Sequence, residues 1–393
     1  MTSLPRVLAL SADDLAAPPR EPARFSGVCA GLGGRGFPLA FVRPRLPELA
    51  RRGIRLLHPH PDPRVRRIRG DLSSHTFGMT TRLAGRLLRA HDGQYDVILE
   101  VLTLFAPGRG PRNRPYVLYT DNILPLTLRE YPPWAPLTRV QARRMVQLEG
   151  ELCRGAAAVC CTSQRVAEAM VADYGCDPSR VAVVGAGANM LVPSRLDRAW
   201  DSRTALFVGY SFERKGGHVL LDAWPAVRER IGDARLVVVG PPLRSAPRLP
   251  AGVEWRGPVR DRRQLERLYD EAAAFVMPSL FEPWGLVFLE AMGRGTPSIG
   301  TRACAMPEMI RSDENGVLVP SRDPEALTSA LVQLLGDPGR AEALGRRAHA
   351  DVLERWTWDH VAERVAPWLE RAAAQNEKGR PEAALLSGRS AAG

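Results

Sequence analysis

The fold is indicated most clearly by Phe281-Glu282-Pro283-Trp284-Gly285-Leu286-Val287-Phe288-Leu289-Glu290-Ala291-Met292-Gly293. It follows a short apolar run, Ala273-Ala274-Phe275-Val276-Met277, of the kind that forms buried strands. Pro283 suits the first position of a helix. We therefore predict a strand, a turn and a helix, with Glu282 at the start of the helix and Glu290 two turns further on.

The spacing of these two carboxylates limits what they do. Eight helical residues rise about 12 Å, which exceeds the roughly 5 to 9.5 Å between the carboxylates of a glycosidase. The two carboxylates are therefore better placed to contact the two ends of one elongated ligand than to flank a single bond. Between them, the amides of Gly285, Leu286 and Val287 lack intrahelical acceptors, which favours a phosphate. Two glutamates on a solvated helix are the alternative, because acidic residues are common in first turns.

This segment resembles the Glu-x7-Glu motif of the retaining glycosyltransferases of family four. The resemblance covers roughly residues 150 to 370 well and the N-terminal half weakly, and it implies the GT-B fold: two Rossmann-like parallel-sheet domains facing each other across a cleft. Further segments follow the family in order and spacing, namely residues 206–209, 212–217, 235–240, 307–310, 315–320 and 356–359.

The resemblance also implies roles for individual residues. Glu290 would bond the ribose hydroxyls of a nucleotide-diphosphate sugar, and Glu282 would face hydroxyls of the transferred sugar. Lys215 would neutralise the leaving phosphate. Further donor-binding positions would be Gly209, Gly285, Leu286 and Val287 near the diphosphate and Arg260 near the base.

Composition gives separate support for Lys215. The 54 basic residues include only two lysines, Lys215 and Lys378. A compact ammonium inside a glycine loop suits a phosphate. Many relatives carry an arginine directly after the glycine that ends the strand, where this chain has Gly209-Tyr210-Ser211. Either Arg214 supplies the second positive charge, or this subgroup binds the diphosphate with less charge and Arg214 points to solvent.

The acceptor side should lie beyond the carboxyl ends of the strands in the first domain, as in other open α/β sheets. Asp121 follows the predicted strand at residues 116–119 and occupies the place where many relatives have a histidine. It would orient a hydroxyl or shield a developing positive charge, or else cap the following turn. Glu100 and Thr103, at the end of the preceding strand, and Gly27, near the start of a helix, are further candidates.

The run Gly31-Leu32-Gly33-Gly34-Arg35-Gly36 matches the Gly-x-Gly-x-x-Gly pattern of dinucleotide-binding proteins. That fingerprint follows a strand and opens a helix. Here the glycines close a helix that begins near Phe25 and precede a strand at Leu39. We interpret them as the C-terminal end of that helix.

Length indicates two domains, because single cores stop growing near 250 to 300 residues and this chain has 393. We predict an N-terminal domain at residues 1–192 and a C-terminal domain at 193–357. A helix at 358–374 would return to the first domain, and 375–393 would form a disordered tail. Strands alternating with helical stretches predict parallel sheets. In the first domain the predicted strands are residues 6–10, 39–42, 96–101, 116–119 and 157–162, and residues 181–184 are predicted to lead into the link between the two domains.

The formal net charge of +11 raises the question of an anionic partner. No nucleic-acid motif accompanies the arginine clusters, so we expect no nucleic acid. Transient contact with an anionic membrane surface is one interpretation of Leu83, Leu87 and Leu88, which alternate with arginines at helical spacing. An ordinary amphipathic helix with its leucines facing the core is the other.

Apolar runs, cysteines and histidines indicate where the protein acts and whether it binds a metal ion. No apolar run approaches 18 residues, and the N-terminus is predicted to be a first strand rather than a signal segment. Six cysteines without Cys-x-x-Cys spacing indicate reduced thiols in the cytoplasm. His58-Pro59-His60 with Asp62 is the nearest approach to a metal site and is better explained as a surface loop. We expect neither a metal ion nor another cofactor.

The sequence thus predicts an enzyme that moves a hexosyl group from a nucleotide-diphosphate sugar to a hydroxyl, with retained anomeric configuration. The resemblance suggests front-face substitution, in which the leaving phosphate oxygen takes the acceptor proton. A nucleotide-sugar epimerase or a phosphorylase would use the same donor domain, although Lys215 is the only internal lysine for a pyridoxal cofactor. A non-catalytic nucleotide-sugar sensor is the third option. The base, sugar and acceptor stay open.

Overall fold

The computed structural model describes residues 3–16, 24–108, 114–241 and 249–378, without the side chains of 376–378. In these residues the chain forms two six-stranded sheets, and every strand pairing in both is parallel. Parallel sheets need cover on both faces, which the intervening helices provide. The predicted fold class, two Rossmann-like domains, is confirmed.

The N-terminal lobe holds the first sheet, in the order β2-β1-β3-β4-β5-β6. Its strands are β1 (Val7–Leu10), β2 (Leu39–Val42), β3 (Val97–Val101), β4 (Tyr116–Thr120), β5 (Ala158–Cys161) and β6 (Val181–Val183). Its helices are α1 (Ser26–Gly34), α2 (Glu48–Leu56), α3 (Pro63–Asp71), α4 (Ser74–Ala90), α5 (Leu124–Glu130), α6 (Arg139–Gly155) and α7 (Gln164–Tyr174), and short 3-10 turns lie at Pro132–Trp134 and Pro178–Arg180.

The C-terminal lobe holds the second sheet, in the order β9-β8-β7-β10-β11-β12. Its strands are β7 (Thr204–Val208), β8 (Arg235–Val239), β9 (Val253–Gly257), β10 (Ala274–Val276), β11 (Ser298–Thr301) and β12 (Gly316–Val319). Its helices are α8 (Gly217–Arg230), α9 (Arg262–Glu271), α10 (Leu286–Gly293), α11 (Met306–Met309), α12 (Pro324–Gly336) and α13 (Pro338–Arg355), and α14 (Trp358–Lys378) follows.

Alternation along the strands divides the core between the two faces of each sheet. Adjacent Cys160 and Cys161 on β5 lie in different hydrophobic clusters, as expected for neighbouring strand residues. The strand β3 is buried along its whole length. A strand buried on both faces has no polar side, and this explains the nearly continuous apolar runs in the sequence.

The strand order reverses at one point in each sheet. In the C-terminal lobe, β7 and β10 are neighbours and the chain winds away from them in opposite directions. In the N-terminal lobe the corresponding neighbours are β1 and β3. The connections leaving two such strands diverge, so a crevice opens beyond their carboxyl ends. The sheet topology therefore places one such crevice in each lobe.

The chain crosses between the lobes twice. It leaves the N-terminal lobe after β6, and it returns at Trp356–Trp358 to begin α14. This helix packs against α1 and against β3, β4 and β5. The contact is close because a Cβ at Gly27, Gly31 or Gly187 would lie within 3 Å of Trp358. The helix continues to Lys378, and the rest of the predicted tail, residues 379–393, lies outside the described residues.

The glycine run that closes α1 behaves as predicted. The helix ends at Gly34, and Gly36 has a φ of +87°, a left-handed conformation that favours glycine. The segment around His58 also behaves as a surface segment, since Asp62 accepts a hydrogen bond from the Arg64 amide and caps α3. On α4, Leu88 is buried and Leu83 and Leu87 are half-buried. These leucines face the core, so they do not form a membrane-binding stripe.

Within the described ranges, none of the helices combines the length and the apolar character needed to span a bilayer.

Candidate active site

A cavity of about 810 Å³ lies between the two lobes, beyond the carboxyl ends of β4, β7 and β8. This volume falls within the range of small-molecule sites. The N-terminal lobe contributes Arg24, Phe25, Asp121, Trp134 and Asn189 to its lining, and the C-terminal lobe contributes the remaining residues. We call this cavity the cleft. It coincides with the point at which the strand order of the second sheet reverses.

The turn before α10 differs from the prediction. Pro283 does not begin the helix: the helix starts at Leu286, after Gly285 in a left-handed conformation with a φ of +97°. Trp284 is buried and its ring packs edge-on against Trp356 at 5.3 Å, which holds the turn in place. Glu290 therefore lies one turn into the helix, not two. Glu282 lies ahead of the helix, in the turn.

The amides of Gly285 and of the first two residues of α10 border the cleft. Gly285, Leu286 and Val287 all line it. Among the described residues none accepts a hydrogen bond from these three amides. Unpaired amides at the positive end of a helix attract an anion.

Three charged side chains meet at the start of this turn. Lys215 Nζ lies 3.1 Å from Glu282 Oε2, and Arg214 Nη1 lies 3.2 Å from the same oxygen. Burial alone would raise the pKa of Glu282, but the two adjacent cations outweigh it and hold that pKa below its ordinary value. Glu282 is therefore ionised at neutral pH. The alternative that Arg214 points to solvent is not supported, because its side chain is 11% exposed.

Glycines in the loop after β7 leave room for the lysine. A Cβ at Gly209 would lie 2.3 Å from Lys215 Cδ, and a Cβ at Gly216 would lie 1.9 Å from the Pro278 carbonyl oxygen. The loop therefore packs directly on the segment that follows β10. Tyr210, which stands where many relatives have an arginine, lines the cleft and is largely exposed.

Glu290 has its own set of partners on α9. Tyr269 donates a hydrogen bond to Glu290 Oε2 at 3.3 Å, and Arg262 Nη2 lies 3.6 Å from Oε1. Burial raises the pKa of Glu290, and Arg262 opposes that increase. Arg260, exposed at the start of α9, also lines the cleft.

Asp121 faces the cleft from the opposite lobe. Its carboxylate lies 3.6 Å from Arg24 Nη1. Burial raises the pKa of Asp121, and the pairing with Arg24 acts in the opposite direction. The residue does not cap the following helix, since the Leu124 amide at the start of α5 donates to Glu149 instead. Asp121 is therefore available to a ligand.

The other acceptor-side candidates do not reach the cleft. Gly27 packs on Trp358. The Glu100 carboxyl is fully buried in β3, with no hydrogen-bond partner among the described residues, and burial raises its pKa. Thr103 donates a hydrogen bond to buried Glu149. Strand alternation directs alternate side chains into the core, and this places Glu100 away from the cleft.

Several residues at or next to the cleft were not predicted. Arg262 and Tyr269 are seven residues apart on α9, a spacing that puts both on one face of the helix. This spacing is visible in the sequence and could have identified the pair. Asn189 accepts a hydrogen bond from the Trp358 indole and lies where the chain leaves the first lobe. Trp134, in a Pro-Pro-Trp turn, gave no local signal of a contact with the second lobe.

The described part of the chain contains no cluster of three or more histidine, cysteine, aspartate or glutamate side chains suited to hold a metal ion. The positive charge at the cleft comes from arginine and lysine side chains.

Comparison with known proteins defines the class. The family described as "Glycosyltransferase Family 4" matches residues 27–190, and "Glycosyl transferases group 1" matches residues 202–337. Each lobe therefore matches a glycosyltransferase family, and the two-lobe fold belongs to the GT-B class.

Curated relatives and solved structures agree with this class. D-inositol 3-phosphate glycosyltransferase of Streptomyces bingchenggensis is 32% identical over 234 residues, 52% of this chain and 50% of that protein. Phosphatidyl-myo-inositol mannosyltransferase of Mycobacterium leprae is 34% identical over 186 residues, 45% and 48% of the two chains. The chain thus spans about half the length of these relatives.

The solved structures share the fold over nearly the whole chain. Sucrose-phosphate synthase from Thermosynechococcus elongatus has a TM-score of 0.68 and 18% identity, covering 94% of this chain and all of that one. HepE of Anabaena, in complex with UDP-glucose, has a TM-score of 0.61 and 15% identity, covering 93% of this chain and all of that one.

Proposed function

We propose that the chain transfers a sugar from a nucleotide-diphosphate sugar to a hydroxyl acceptor, with retained anomeric configuration and without a metal ion. The observation that carries this proposal is the meeting of Lys215, Arg214 and Glu282 at the start of α10. Two cations and a row of unpaired amides suit a diphosphate. The HepE complex with UDP-glucose is consistent with such a donor.

The donor would lie along the second lobe. Its ribose hydroxyls would bond Glu290, its diphosphate would lie between Lys215 and the first amides of α10, and its base would lie near Arg260. Glu282, ionised and held by two cations, would accept hydrogen bonds from hydroxyls of the transferred sugar. Asp121, across the cleft, would accept one from the acceptor or the sugar.

The proposed reaction is a front-face substitution. The bond between the anomeric carbon and the phosphate oxygen breaks, and a bond between that carbon and the acceptor oxygen forms on the same face. The acceptor proton passes to the leaving phosphate oxygen. Lys215 stabilises the charge that develops on this phosphate, and the protein otherwise contributes positioning.

The first experiment identifies the donor. A panel of uridine- and guanosine-diphosphate sugars is screened by thermal shift, since a ligand at 100 times its dissociation constant stabilises the folded chain by about 2.7 kcal/mol. The donor that binds is then incubated with D-inositol 3-phosphate and phosphatidylinositol, acceptors suggested by the names of the relatives. Release of nucleoside diphosphate that depends on the acceptor supports the proposal.

Four outcomes contradict parts of the proposal. Donor binding without acceptor-dependent release, with these acceptors or with cell extracts, indicates a sensor. Conversion of the donor alone indicates an epimerase. An inverted product anomer, read from proton coupling constants, excludes retention. Turnover abolished by a chelator and restored by a divalent cation excludes the metal-independent mechanism.

We further propose that α2, α3 and α4 contact an anionic membrane, and that the chain acts in the cytoplasm. Residues 48–90 contain ten arginines against three acidic residues, a net charge of +7 out of the total of +11. On α2, Leu49 and Leu56 are 82% and 76% exposed and lie seven residues apart on one face. Basic helices with exposed leucines bind anionic bilayers. All six cysteines are free thiols, consistent with a reducing compartment.

Vesicle sedimentation tests the membrane proposal. We expect the chain to bind phosphatidylglycerol vesicles and not phosphatidylcholine vesicles, and the double change Leu49→Ser with Leu56→Ser to weaken binding about tenfold. Leu191→Ser is the matched control, because Leu191 is equally exposed but lies outside the three helices. Equal losses in both variants, or no binding to anionic vesicles, would contradict the proposal.

A further inference from the structure

We propose that Trp134, on the N-terminal lobe, is a positioning residue that holds Arg214 of the C-terminal lobe in place for the donor diphosphate. The inference rests on the proposed function, because it names a new determinant of donor binding at the same site. It concerns a residue on the lobe opposite to the donor, so it links the arrangement of the two lobes to nucleotide affinity.

The first observation is the contact between the two side chains. The Arg214 guanidinium carbon lies 4.9 Å from the centre of the Trp134 ring. A cation within about 6 Å of an indole centroid is attracted by the electron-rich face of the ring, and tryptophan is the strongest such partner. Both residues line the cleft, and Trp134 is half-buried.

The second observation is the state of the guanidinium. Arg214 Nη1 donates to the Phe281 carbonyl oxygen and to Glu282, so one edge of the group is held by its own lobe. Its Nε is buried and has no hydrogen-bond partner among the described residues. A buried N–H without an acceptor requires an explanation, and an anionic ligand in the cleft supplies one.

The third observation is the way in which Trp134 itself is held. Its ring packs edge-on against Phe281 at a centroid distance of 5.4 Å, and Tyr131 of the same segment stacks on the other lobe's Phe281 at 6.1 Å. Trp134 thus touches both the arginine and the residue whose carbonyl the arginine binds. Tyr131 touches only Phe281 in these contacts, and this gives a matched control.

The contacts of the Trp134 indole indicate that it restrains the Arg214 side chain. With the lobes in this arrangement, Trp134 covers one face of the guanidinium and restricts the rotamers of Arg214. The arginine therefore loses less conformational entropy when a diphosphate binds. If the lobes separate, the indole leaves and Arg214 becomes hydrated and mobile. Donor affinity is then highest when the lobes are together.

Calorimetric titration of the full chain with UDP and with GDP tests the inference. We expect Trp134→Leu to weaken binding of the preferred nucleotide about three- to tenfold, the loss of a cation–π contact. Trp134→Phe retains a ring and should lose less. Tyr131→Leu should change affinity less than about twofold. In the Arg214→Met background, Trp134→Leu should have little further effect, because the cation is already absent.

The outcomes separate this inference from the proposed function. An unchanged affinity in Trp134→Leu, an equal loss in Tyr131→Leu, or an undiminished loss in the Arg214→Met background would each overturn the positioning role. Failure of the unmodified chain to bind either nucleotide overturns the proposed donor, and this inference with it. Melting temperatures of the variants confirm that each one is folded.

Discussion

Lys215 and Glu282 form a buried ion pair next to the turn whose amides have no acceptor among the described residues. We expect Lys215→Ala and Glu282→Ala each to reduce turnover about 10²- to 10³-fold, as the loss of one charge-stabilising contact does in other enzymes. Initial rates of nucleoside diphosphate release measure the effect. Lys378→Ala, which removes the only other lysine, is the control and should leave the rate unchanged. Near-normal turnover in Lys215→Ala and Glu282→Ala would remove both residues from the mechanism.

Glu100 is a buried carboxyl without a partner, and its burial makes stability depend on pH. Because its pKa is raised in the folded chain, the folded state retains the proton while the unfolded state loses it. Its contribution is therefore favourable below the unfolded pKa of about 4.3 and is lost as pH rises above that value.

We expect Glu100→Gln to raise the melting temperature relative to the unmodified chain, and to raise it more at pH 8 than at pH 5. Thermal denaturation at both pH values measures the difference. Glu370→Gln, at an exposed position of α14, serves as the control and should not change the pH dependence. If both variants show the same pH dependence of the melting temperature, the buried Glu100 carboxyl is not the cause of that dependence.

At the level of elements, the turn before α10 shows what the sequence could not specify. Proline before an apolar run predicts a helix start, but here burial of Trp284 against Trp356 and the left-handed Gly285 delay the helix by three residues. Trp356 lies far along the chain, so no local pattern contains this contact. In contrast, the glycine run at the end of α1 was correctly predicted to close the helix, because this depends only on neighbouring residues.

Gly285 is the residue of this turn at which a substitution is tolerated least. An alanine there would have to adopt a φ of +97°, and its Cβ would lie 2.8 Å from the Phe288 ring. Strain of this kind costs about 1–3 kcal/mol. We expect Gly285→Ala to lower the melting temperature and to impair donor binding, measured by thermal denaturation and by nucleotide titration.

Gly232→Ala is the control for this change. A Cβ at Gly232 meets no atom within 4 Å, and its φ is not in the left-handed region. A loss in Gly232→Ala as large as that in Gly285→Ala would show that the local conformation of Gly285 is not the cause.

For the whole molecule, the two-lobe architecture could be predicted from length, alternation of elements and motif order. The order of strands could not, because it depends on pairings between residues distant in sequence. The same is true of the cleft: the donor-side residues follow from motifs in one lobe, whereas Trp134 and Arg24 enter it only when the two lobes meet.

A second contact between the lobes lies away from the cleft. Glu308 on α11 accepts hydrogen bonds from the Gln164 and Arg165 amides at the start of α7, at 2.8 and 3.4 Å. A carboxylate at a helix N-terminus is worth about 0.3–2 kcal/mol, which shifts an equilibrium between separated and joined lobes up to about thirtyfold.

We expect Glu308→Ala to increase the radius of gyration measured by small-angle X-ray scattering and to raise the KM for the donor. Glu354→Ala, at an exposed position of α13, is the control. Scattering profiles that are identical for both variants would indicate that this contact does not hold the lobes together.

The double passage of the chain between the lobes constrains how they move. Two backbone segments, one after β6 and one before α14, join the lobes. They prevent the lobes from sliding past each other or separating fully. The remaining motion is a rotation about an axis through both segments. Such a hinge opens and shuts the cleft at one edge. A single proteolytic cut between the halves would also leave them associated, because α14 remains docked on the first sheet.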